Sequence, residues 1–237
     1  MKCFFSENFQ YLSAQRNISP DDWRTGTGIS KAKIAAFLSN KSLPDAGELL
    51  KISTFCNYSL EKLLKENIAA NEKILKKFDF KFLVLDIDGV MTDAGIIYTE
   101  SGDEIKKFNA RDGLAIIRLV NAGYQVGFLS SGFKEKIIKH RAKVLGVQKV
   151  YIGTWRKLEV LEDWCKELKI SMKNVAYIGD DLNDIPVIEK VGLSACPADA
   201  IAEVKDKVNI ILSLCGGCGC VREFGDKFLS KYSKSPF

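Results

Sequence analysis

The pattern of hydrophobic and polar residues changes near Phe80. Before it, apolar residues recur every three or four positions, as at Ile34, Phe37 and Leu38, which is typical of amphipathic helices. After it, short apolar runs of the kind found in buried parallel strands alternate with helical patterns. These runs lie at 82–85, 126–129, 149–152 and 175–178. The alternation predicts an α/β domain, a Rossmann-like parallel sheet with helices on both faces.

The same pattern predicts the division of the chain. Residues 1–66 are expected to form a small all-α domain, residues 67–80 a lysine-rich linker of helical propensity, and residues 81–237 the α/β domain. Helices between the strands are expected at 113–121, 134–145, 158–168 and 185–190. Ligands of such sheets bind at the carboxyl ends of the strands, so the residues that follow each strand are the candidates for a functional site.

Acidic residues follow two of the predicted strands. Asp86 and Asp88 come directly after the first strand, and the segment 179–184, GDDLND, follows the fourth. Each group alone could be a solvated loop whose acids cap the next turn. Together they bring five carboxylates to one edge of one sheet, which is strongly unfavourable without compensation. A hard divalent cation with oxygen ligands would compensate them.

The other two strands are also followed by useful polar groups. Ser130 and Ser131 close the strand at 126–129, and Lys157 follows the strand at 149–152. A Ser-Gly pattern favours Ser131 as the functional hydroxyl. Ser130 is preferred because it is the first residue past the apolar strand.

These segments resemble a known family. The segment 86–93, DIDGVMTD, the hydroxyl, Lys157 and GDDLND resemble the four motifs of the haloacid dehalogenase superfamily of phosphotransferases. The segments 109–113, NARDG, and 216–223, GGCGCVRE, are similar to those of the 3-deoxy-D-manno-octulosonate 8-phosphate phosphatases and the related sialic acid and nonulosonate 9-phosphate phosphatases. The resemblance covers about residues 80–230.

The resemblance implies a two-step phosphatase mechanism. Asp86 would be the nucleophile that forms an aspartyl phosphate. Asp88 would be the general acid for the leaving sugar alkoxide and then the base for the attacking water. A Mg²⁺ ion would be held by Asp86, the backbone carbonyl of Asp88, and Asp180.

The remaining predicted residues support that chemistry. The resemblance implies that Ser130 and Lys157 bind the phosphoryl oxygens, and that Asp181 and Asp184 orient the metal and Lys157. Arg111 is the best candidate for binding a carboxylate or phosphate of the substrate, since its guanidinium binds such groups bidentately. The alternative for Arg111 is an ion pair with Asp112 or another nearby acid. Further substrate contacts are predicted at Asn109, Asp112, Gly113, Ser131 and Arg222, where Asn109 and Asp112 could instead fix the loop.

The spacing of the motifs leaves no room for a separate cap domain. Ser130 follows Asp86 by 44 positions and Asp180 follows Lys157 by 23. The segment 95–108 alternates around a Ser-Gly-Asp turn and predicts a β-hairpin. In the resembled family a neighbouring subunit of a tetramer covers the site, so a homotetramer is expected. The segment 215–220 is expected to reach a neighbour's site through its glycines, although Cys218 stands where the family has an arginine.

The N-terminal segment resembles a second family. Residues 8–64 resemble the five-helix lambda-repressor-like helix-turn-helix domain, with Lys31–Leu38 as its recognition helix. The exposed positions of that helix offer only Lys31 and Lys33, with none of the Arg, Asn or Gln that read base edges well. Gly26 also stands where the second helix normally continues. A protein-contact or vestigial role is therefore favoured over DNA binding.

Composition narrows the remaining alternatives. The 46% hydrophobic and 27% charged residues are typical of globular proteins, and the net charge of +5 is mild. No apolar run approaches the roughly 18 residues of a membrane span, and no signal peptide is evident, so a cytoplasmic protein is expected. Of seven cysteines, three lie at 215, 218 and 220. Zinc would need a fourth ligand, so a glycine-rich tail with small residues is favoured.

The function predicted from these residues is a Mg²⁺-dependent phosphomonoesterase that acts on a phosphorylated 3-deoxy-2-ulosonic acid of eight or nine carbons. One alternative is a phosphatase for another phosphosugar. The other is a transcriptional regulator with a phosphatase-like sensor domain. The presence of both Asp86 and Asp88 argues against the sensor, because a domain that only binds does not need both.

Overall fold

The chain folds as two units, Met1–Lys76 and Lys77–Phe237. The computed structural model describes residues 3–132, 134–154 and 156–229. No helix within these ranges is long and apolar enough to cross a membrane.

The first unit is entirely helical. Its helices are α1 (Phe5–Gln15), α2 (Pro20–Thr27), α3 (Lys31–Leu38), α4 (Ala46–Cys56), α5 (Leu60–Lys65) and α6 (Ile68–Lys77). Serine caps begin two of these helices, because the side chains of Ser19 and Ser30 accept hydrogen bonds from the first turns of α2 and α3. Helix α6 occupies most of the segment that was predicted as a linker.

Aromatic side chains fill the core of this unit. Phe9 packs against Trp23 with ring centroids 4.5 Å apart, and the Trp23 indole donates to Ser13 Oγ at 2.8 Å. Gly26 lies within α2 and does not end it. A Cβ at Gly26 would stand 2.0 Å from the ring of Phe55, so the glycine makes room for that ring.

The lysines of α3 are paired with acids of the same unit. Lys31 Nζ lies 2.8 Å from Asp21, and Lys33 Nζ lies 2.5 Å from Glu48. Both pairs are largely exposed on the lysine side. The positive charge of α3 is therefore partly neutralised where a recognition helix would need it.

The second unit is built on a parallel sheet of six strands. Their order across the sheet is β5-β4-β1-β6-β7-β8, and every pairing is parallel. The predicted hairpin is confirmed as a separate antiparallel pair, β2-β3. The strands are β1 (Phe82–Leu85), β2 (Ile97–Tyr98), β3 (Glu104–Ile105), β4 (Gln125–Ser130), β5 (Lys149–Ile152), β6 (Val175–Ile178), β7 (Leu193–Cys196) and β8 (Ile210–Ile211).

Helices surround this sheet. They are α7 (Ala110–Asn121), α8 (Glu135–Leu145), α9 (Lys157–Leu168), α10 (Ile185–Ile188), α11 (Ala202–Lys205) and α12 (Cys220–Phe228). All four predicted strands are present, and the predicted α/β fold is confirmed. Strands β7 and β8 were not predicted, because their short apolar runs carry a weak signal. Strand β1 is buried along its whole length at the centre of the sheet, so the loop that follows it starts from a rigid base.

Candidate active site

The two acidic segments meet because β1 and β6 are neighbours in the sheet. The Asp86 amide still donates to the Ile178 carbonyl at 3.0 Å, so the two strands end together. Carboxylate oxygens of Asp86, Asp180 and Asp184 lie within 4.8 Å of one another. This acidic cluster stands at the carboxyl edge of the sheet, as the sequence predicted.

Lys157 lies at the start of α9 and points into the acidic cluster. Its Nζ is 2.9 Å from Asp86 and 2.6 Å from Asp184, and its side chain is almost fully buried. Burial lowers the pKa of Lys157, but the two carboxylates more than offset this and hold the pKa above its ordinary value. The ammonium group is therefore a fixed positive charge beside Asp86.

Asp184 organises the loop after β6. Its fully buried carboxylate accepts hydrogen bonds from Lys157, from the Tyr177 hydroxyl at 2.6 Å and from the Asp180 amide at 2.8 Å. The prediction that Asp184 orients Lys157 agrees with this geometry. Asp181 differs, because its side chain is exposed and accepts from the Leu182 amide. It stabilises its own turn and does not contact Lys157.

The acidic cluster carries more negative charge than Lys157 balances. Burial, followed by the neighbouring carboxylates, raises the pKa of Asp86 to about 7 and that of Asp180 to about 9. Asp180 Oδ1 is buried without a hydrogen-bond partner among the described residues. Gly89, at φ +90°, brings backbone so close that a Cβ would stand 2.0 Å from Asp180 Oδ2. The carboxylate oxygens of the acidic cluster, among them Asp180 Oδ1, unpaired within the described residues, are suited to bind a hard cation such as Mg²⁺.

Asp88 lies on the solvent side of the acidic cluster and is about one-third exposed. Its Oδ1 accepts from Lys106 Nζ at 2.6 Å and from Thr92 Oγ1 at 3.3 Å. Lys106 follows β3, is buried, and also pairs with Glu104 at 2.5 Å. Lys106 was not among the predicted site residues, since a lysine in an alternating hairpin carries no signal that separates it from a solvated one.

The structure separates the two candidate hydroxyls. Ser130 is buried at the end of β4, and its Oγ accepts from the Gly132 amide at 3.1 Å. Gly132 itself lies against Asp88, because a Cβ there would stand 3.5 Å from Asp88 Oδ2. Ser131 instead accepts from Asn183 at 2.9 Å. The geometry therefore favours Ser130 as the hydroxyl beside the carboxylates.

The start of α7 holds two of the predicted substrate contacts. Asn109 caps the helix by accepting from the Arg111 amide at 2.8 Å, and its Nδ2 donates to the Gly217 carbonyl at 3.2 Å. The Arg111 side chain is exposed. The alternative ion pair of Arg111 with Asp112 is not seen, because Asp112 is fully buried and accepts from the Arg222 amide at 2.8 Å.

Two predicted substrate contacts, Asp112 and Gly113, need correction. Asp112 is inaccessible, and burial raises its pKa to about 6 although backbone N–H groups of α12 lower it. Asp112 fixes the start of α12 by accepting from the Arg222 amide. Gly113 makes room for Arg141, whose Nη2 would stand 2.5 Å from a Cβ there. The Arg222 guanidinium is engaged by Asp226, with 2.6 Å between Nε and Oδ2. Asp112 and Gly113 thus shape the loop rather than meet a substrate.

The segment 215–220 packs within its own chain, and its predicted reach to a neighbour's site stays a prediction. Its glycines lie on the loop that follows β1: the Gly217 amide donates to the Val90 carbonyl at 3.0 Å, and a Cβ at Gly216 would stand 2.0 Å from the Gly89 carbonyl oxygen. Cys220 is buried and its thiol donates to the Val90 carbonyl at 3.3 Å. Within the described ranges, these cysteines form no metal-ligating group. Residues 230–237, which end the predicted α/β domain, lie outside the described residues.

The fold and the strand-end carboxylates together define a class of enzyme. The loop after the central strand β1, the buried Lys157 and the acidic loop after the neighbouring strand β6 form the acidic cluster described above. A family model for haloacid dehalogenase-like hydrolases matches residues 133–214.

Individual relatives give a narrower comparison. The chain is 38% identical over 161 residues to the 3-deoxy-D-manno-octulosonate 8-phosphate phosphatase KdsC of Escherichia coli strain K12, covering 68% of this chain and 85% of that protein. It is similar to the crystal structure of the phosphatase of the same name from Yersinia pestis, with 36% identity, a TM-score of 0.65, and coverage of 68% of this chain and 86% of that one.

A third comparison includes bound ligands. The structure of 3-deoxy-D-manno-octulosonate 8-phosphate phosphatase from Moraxella catarrhalis, in complex with a magnesium ion, a phosphate ion and a KDO molecule, has 29% identity and a TM-score of 0.65, covering 69% of this chain and 92% of that one. The present chain belongs to the family of these phosphatases, within the haloacid dehalogenase-like hydrolases. It is a phosphoric monoester hydrolase.

Proposed function

We propose that this protein is a Mg²⁺-dependent phosphatase that hydrolyses the phosphomonoester of a 3-deoxy-2-ulosonic acid through an aspartyl-phosphate intermediate. One observation carries the proposal. Asp86 is a buried carboxylate at the end of the central strand, held 2.9 Å from the ammonium group of Lys157. The relatives named above support the same chemistry.

The first step transfers the phosphoryl group to the protein. A carboxylate oxygen of Asp86 attacks phosphorus, an O–P bond forms, and the bond from phosphorus to the sugar oxygen breaks. The Asp88 carboxyl gives its proton to the departing sugar oxygen. Lys157 and Ser130 stabilise the negative charge on the phosphoryl oxygens.

The second step releases phosphate. Asp88, now a carboxylate, takes a proton from water as the water oxygen attacks the phosphorus of the aspartyl phosphate, and the Asp86 carboxylate leaves. Asp86, the backbone carbonyl of Asp88, and Asp180 would hold Mg²⁺. That ion supplies positive charge that offsets the repulsion between the carboxylates and the phosphate dianion.

The exposed Arg111 suits a substrate that carries a second anion. Its guanidinium stands free of Asp112 at the start of α7, next to Asn109, which binds the segment 215–220. We assign to Arg111 the binding of the carboxylate of the sugar acid. Asn109 either binds sugar hydroxyls or only fixes the loop. The names of the relatives favour an eight-carbon acid, 3-deoxy-D-manno-octulosonate 8-phosphate, over a nine-carbon one.

The proposal includes a homotetramer. The described residues between the strands of the second unit hold no inserted domain, and the hairpin β2-β3 exposes the large apolar side chains of Ile96, Ile97, Tyr98 and Ile105 to between 49% and 60%. Exposed apolar surface of this kind favours contact with another subunit. Light scattering on the purified chain tests this directly, and a fully active monomer would contradict it.

Phosphate release from a panel of phosphorylated sugars, each with and without Mg²⁺, tests the proposed function. We expect the highest kcat/KM for 3-deoxy-D-manno-octulosonate 8-phosphate, and loss of turnover when Mg²⁺ is removed with a chelator. A nine-carbon acid 9-phosphate as the best substrate would change only the specificity. Turnover that is independent of any divalent cation would overturn the mechanism.

DNA binding is not part of the proposal. The only lysines of α3, Lys31 and Lys33, are paired with Asp21 and Glu48. A gel-shift assay with random duplex DNA at physiological salt tests this, and tight binding would favour the regulator.

A further inference from the structure

A buried lysine joins the hairpin to the proposed acid–base residue. Lys106 follows β3, and its Nζ lies 2.6 Å from Asp88 Oδ1 and 2.5 Å from Glu104. Its side chain is 4% exposed, although both residues of β2 and the adjacent Ile105 are solvent-exposed. The mechanism proposed above gives Lys106 no role.

The contact fixes the direction of the Asp88 carboxyl group. Oδ1 is bound by Lys106 and, more weakly, by Thr92 at 3.3 Å. Oδ2 is turned toward Gly132, where a Cβ would stand 3.5 Å from it, and Gly132 is the residue whose amide binds Ser130 Oγ. The oxygen that Lys106 does not bind therefore faces the loop that we assign to the phosphoryl group.

Burial makes this contact more specific than a surface pair. A buried ammonium group is unfavourable unless carboxylates surround it, and Asp88 and Glu104 provide two. The neighbouring Lys107 gives the contrast within the same segment. It pairs with Asp93 at 2.7 Å, but its side chain is 72% exposed, so it has the freedom of an ordinary surface lysine.

We propose that Lys106 is a positioning residue, which holds Asp88 Oδ1 so that Oδ2 points at the oxygen of the leaving group. The inference rests on the proposed function, because it requires Asp88 to be the general acid. A carboxyl group free to rotate would give up its proton in fewer productive orientations. The loss falls on the step that needs that proton.

Substrates that differ in their need for a proton test this directly. A sugar alkoxide needs a proton to leave, whereas the phenolate of p-nitrophenyl phosphate leaves without one. In the Lys106→Met variant, we expect the single-turnover rate of phosphoryl transfer from the sugar phosphate to fall by about 10- to 100-fold, part of the contribution of a general acid. The burst of p-nitrophenolate should keep nearly its parental rate.

Two further variants keep the test decisive. Lys106→Met together with Glu104→Gln removes the carboxylate that the first change leaves unpaired, so that folding is protected. Lys106→Arg keeps the charge and should recover part of the lost rate with the sugar phosphate. Lys107→Met is the matched control and should match the parent with both substrates.

The outcomes separate the two proposals. If the two substrates lose rate equally, or if Lys107→Met shows the same selective loss, Lys106 has only a structural role and the inference is wrong. If the parent protein itself forms no phosphoenzyme, the proposed function fails, and this inference fails with it. A selective loss with the sugar phosphate in a variant that folds as the parent does supports the assignment.

Discussion

The acidic cluster of the second unit and the surface of α3 in the first unit differ in how far their charged side chains are paired with opposite charges. Asp86, Asp180 and Asp184 are brought together with a single buried lysine, and Asp180 keeps an oxygen without a partner among the described residues. On α3, each exposed lysine has an acid beside it.

The difference shows how a functional site can be told from a scaffold. Excess buried charge costs free energy, so it persists where a ligand compensates it. Exposed charges that are paired one to one need no ligand and point to no chemistry. Substitutions inside and outside the acidic cluster test this contrast.

Removal of the nucleophile should have the largest effect. In Asp86→Asn, we expect phosphate release to fall by about four orders of magnitude or more, because the attacking oxygen is lost without added bulk. Phosphate release and circular dichroism should be measured together. Asp103→Asn, an exposed change in the hairpin turn, is the control. Substantial turnover by folded Asp86→Asn protein would contradict the assignment.

Removal of a carboxylate from the acidic cluster should change how the stability of the protein depends on pH. The pKa values of Asp86 and Asp180, about 7 and about 9, lie above the ordinary 3.8, so the folded protein binds more protons than the unfolded chain between those values. The contribution of these two carboxyl groups to the stability of the metal-free protein should therefore be greatest at low pH. It should be lost as the pH rises from about 4 towards about 9.

Thermal unfolding with a chelator, and then with Mg²⁺, measures this effect. We expect the Tm of the parent protein with chelator to fall as the pH rises, and Mg²⁺ to restore it. Asp180→Asn should flatten the pH dependence and weaken the response to Mg²⁺. Identical pH and Mg²⁺ responses in the parent and the variant would show that Asp180 is not part of a cation site.

A buried carboxylate outside the acidic cluster should affect stability rather than chemistry. Asp112→Ala removes the acceptor of the Arg222 amide, and we expect the free energy of unfolding to fall by about 1–3 kcal/mol, because a buried donor loses its partner. Urea denaturation measures this change. Asp226→Ala, at an exposed pair, is the control and should cost less. An unchanged stability would show that Asp112 does not hold α12.

Deletion of the first unit should have the smallest effect on catalysis. Every residue of the proposed site lies in Lys77–Phe237, so a chain without residues 1–76 should keep kcat/KM within about twofold of the full chain, a difference below 0.5 kcal/mol. Steady-state phosphate release measures it. A collapse of activity in folded, truncated protein would show that the first unit shapes the site.

Much of the fold could be predicted because its signals are local. The strands at 82–85, 149–152 and 175–178 have the predicted bounds, and α3 runs from Lys31 to Leu38 as expected. An apolar run reports a buried strand, and a serine cap acts on amides two or three residues away. Such signals do not depend on the rest of the chain.

The parallel sheet, the acids after its strands and the likeness to a phosphatase family follow from the sequence. Three further features depend on tertiary packing: Asp112 is buried, Lys106 binds Asp88, and the segment 215–220 packs on the loop after β1. The partners in these contacts are up to 130 residues apart, as for Cys220 and Val90. Packing of distant elements selects such partners, and no periodic pattern along the chain records which side chains will meet.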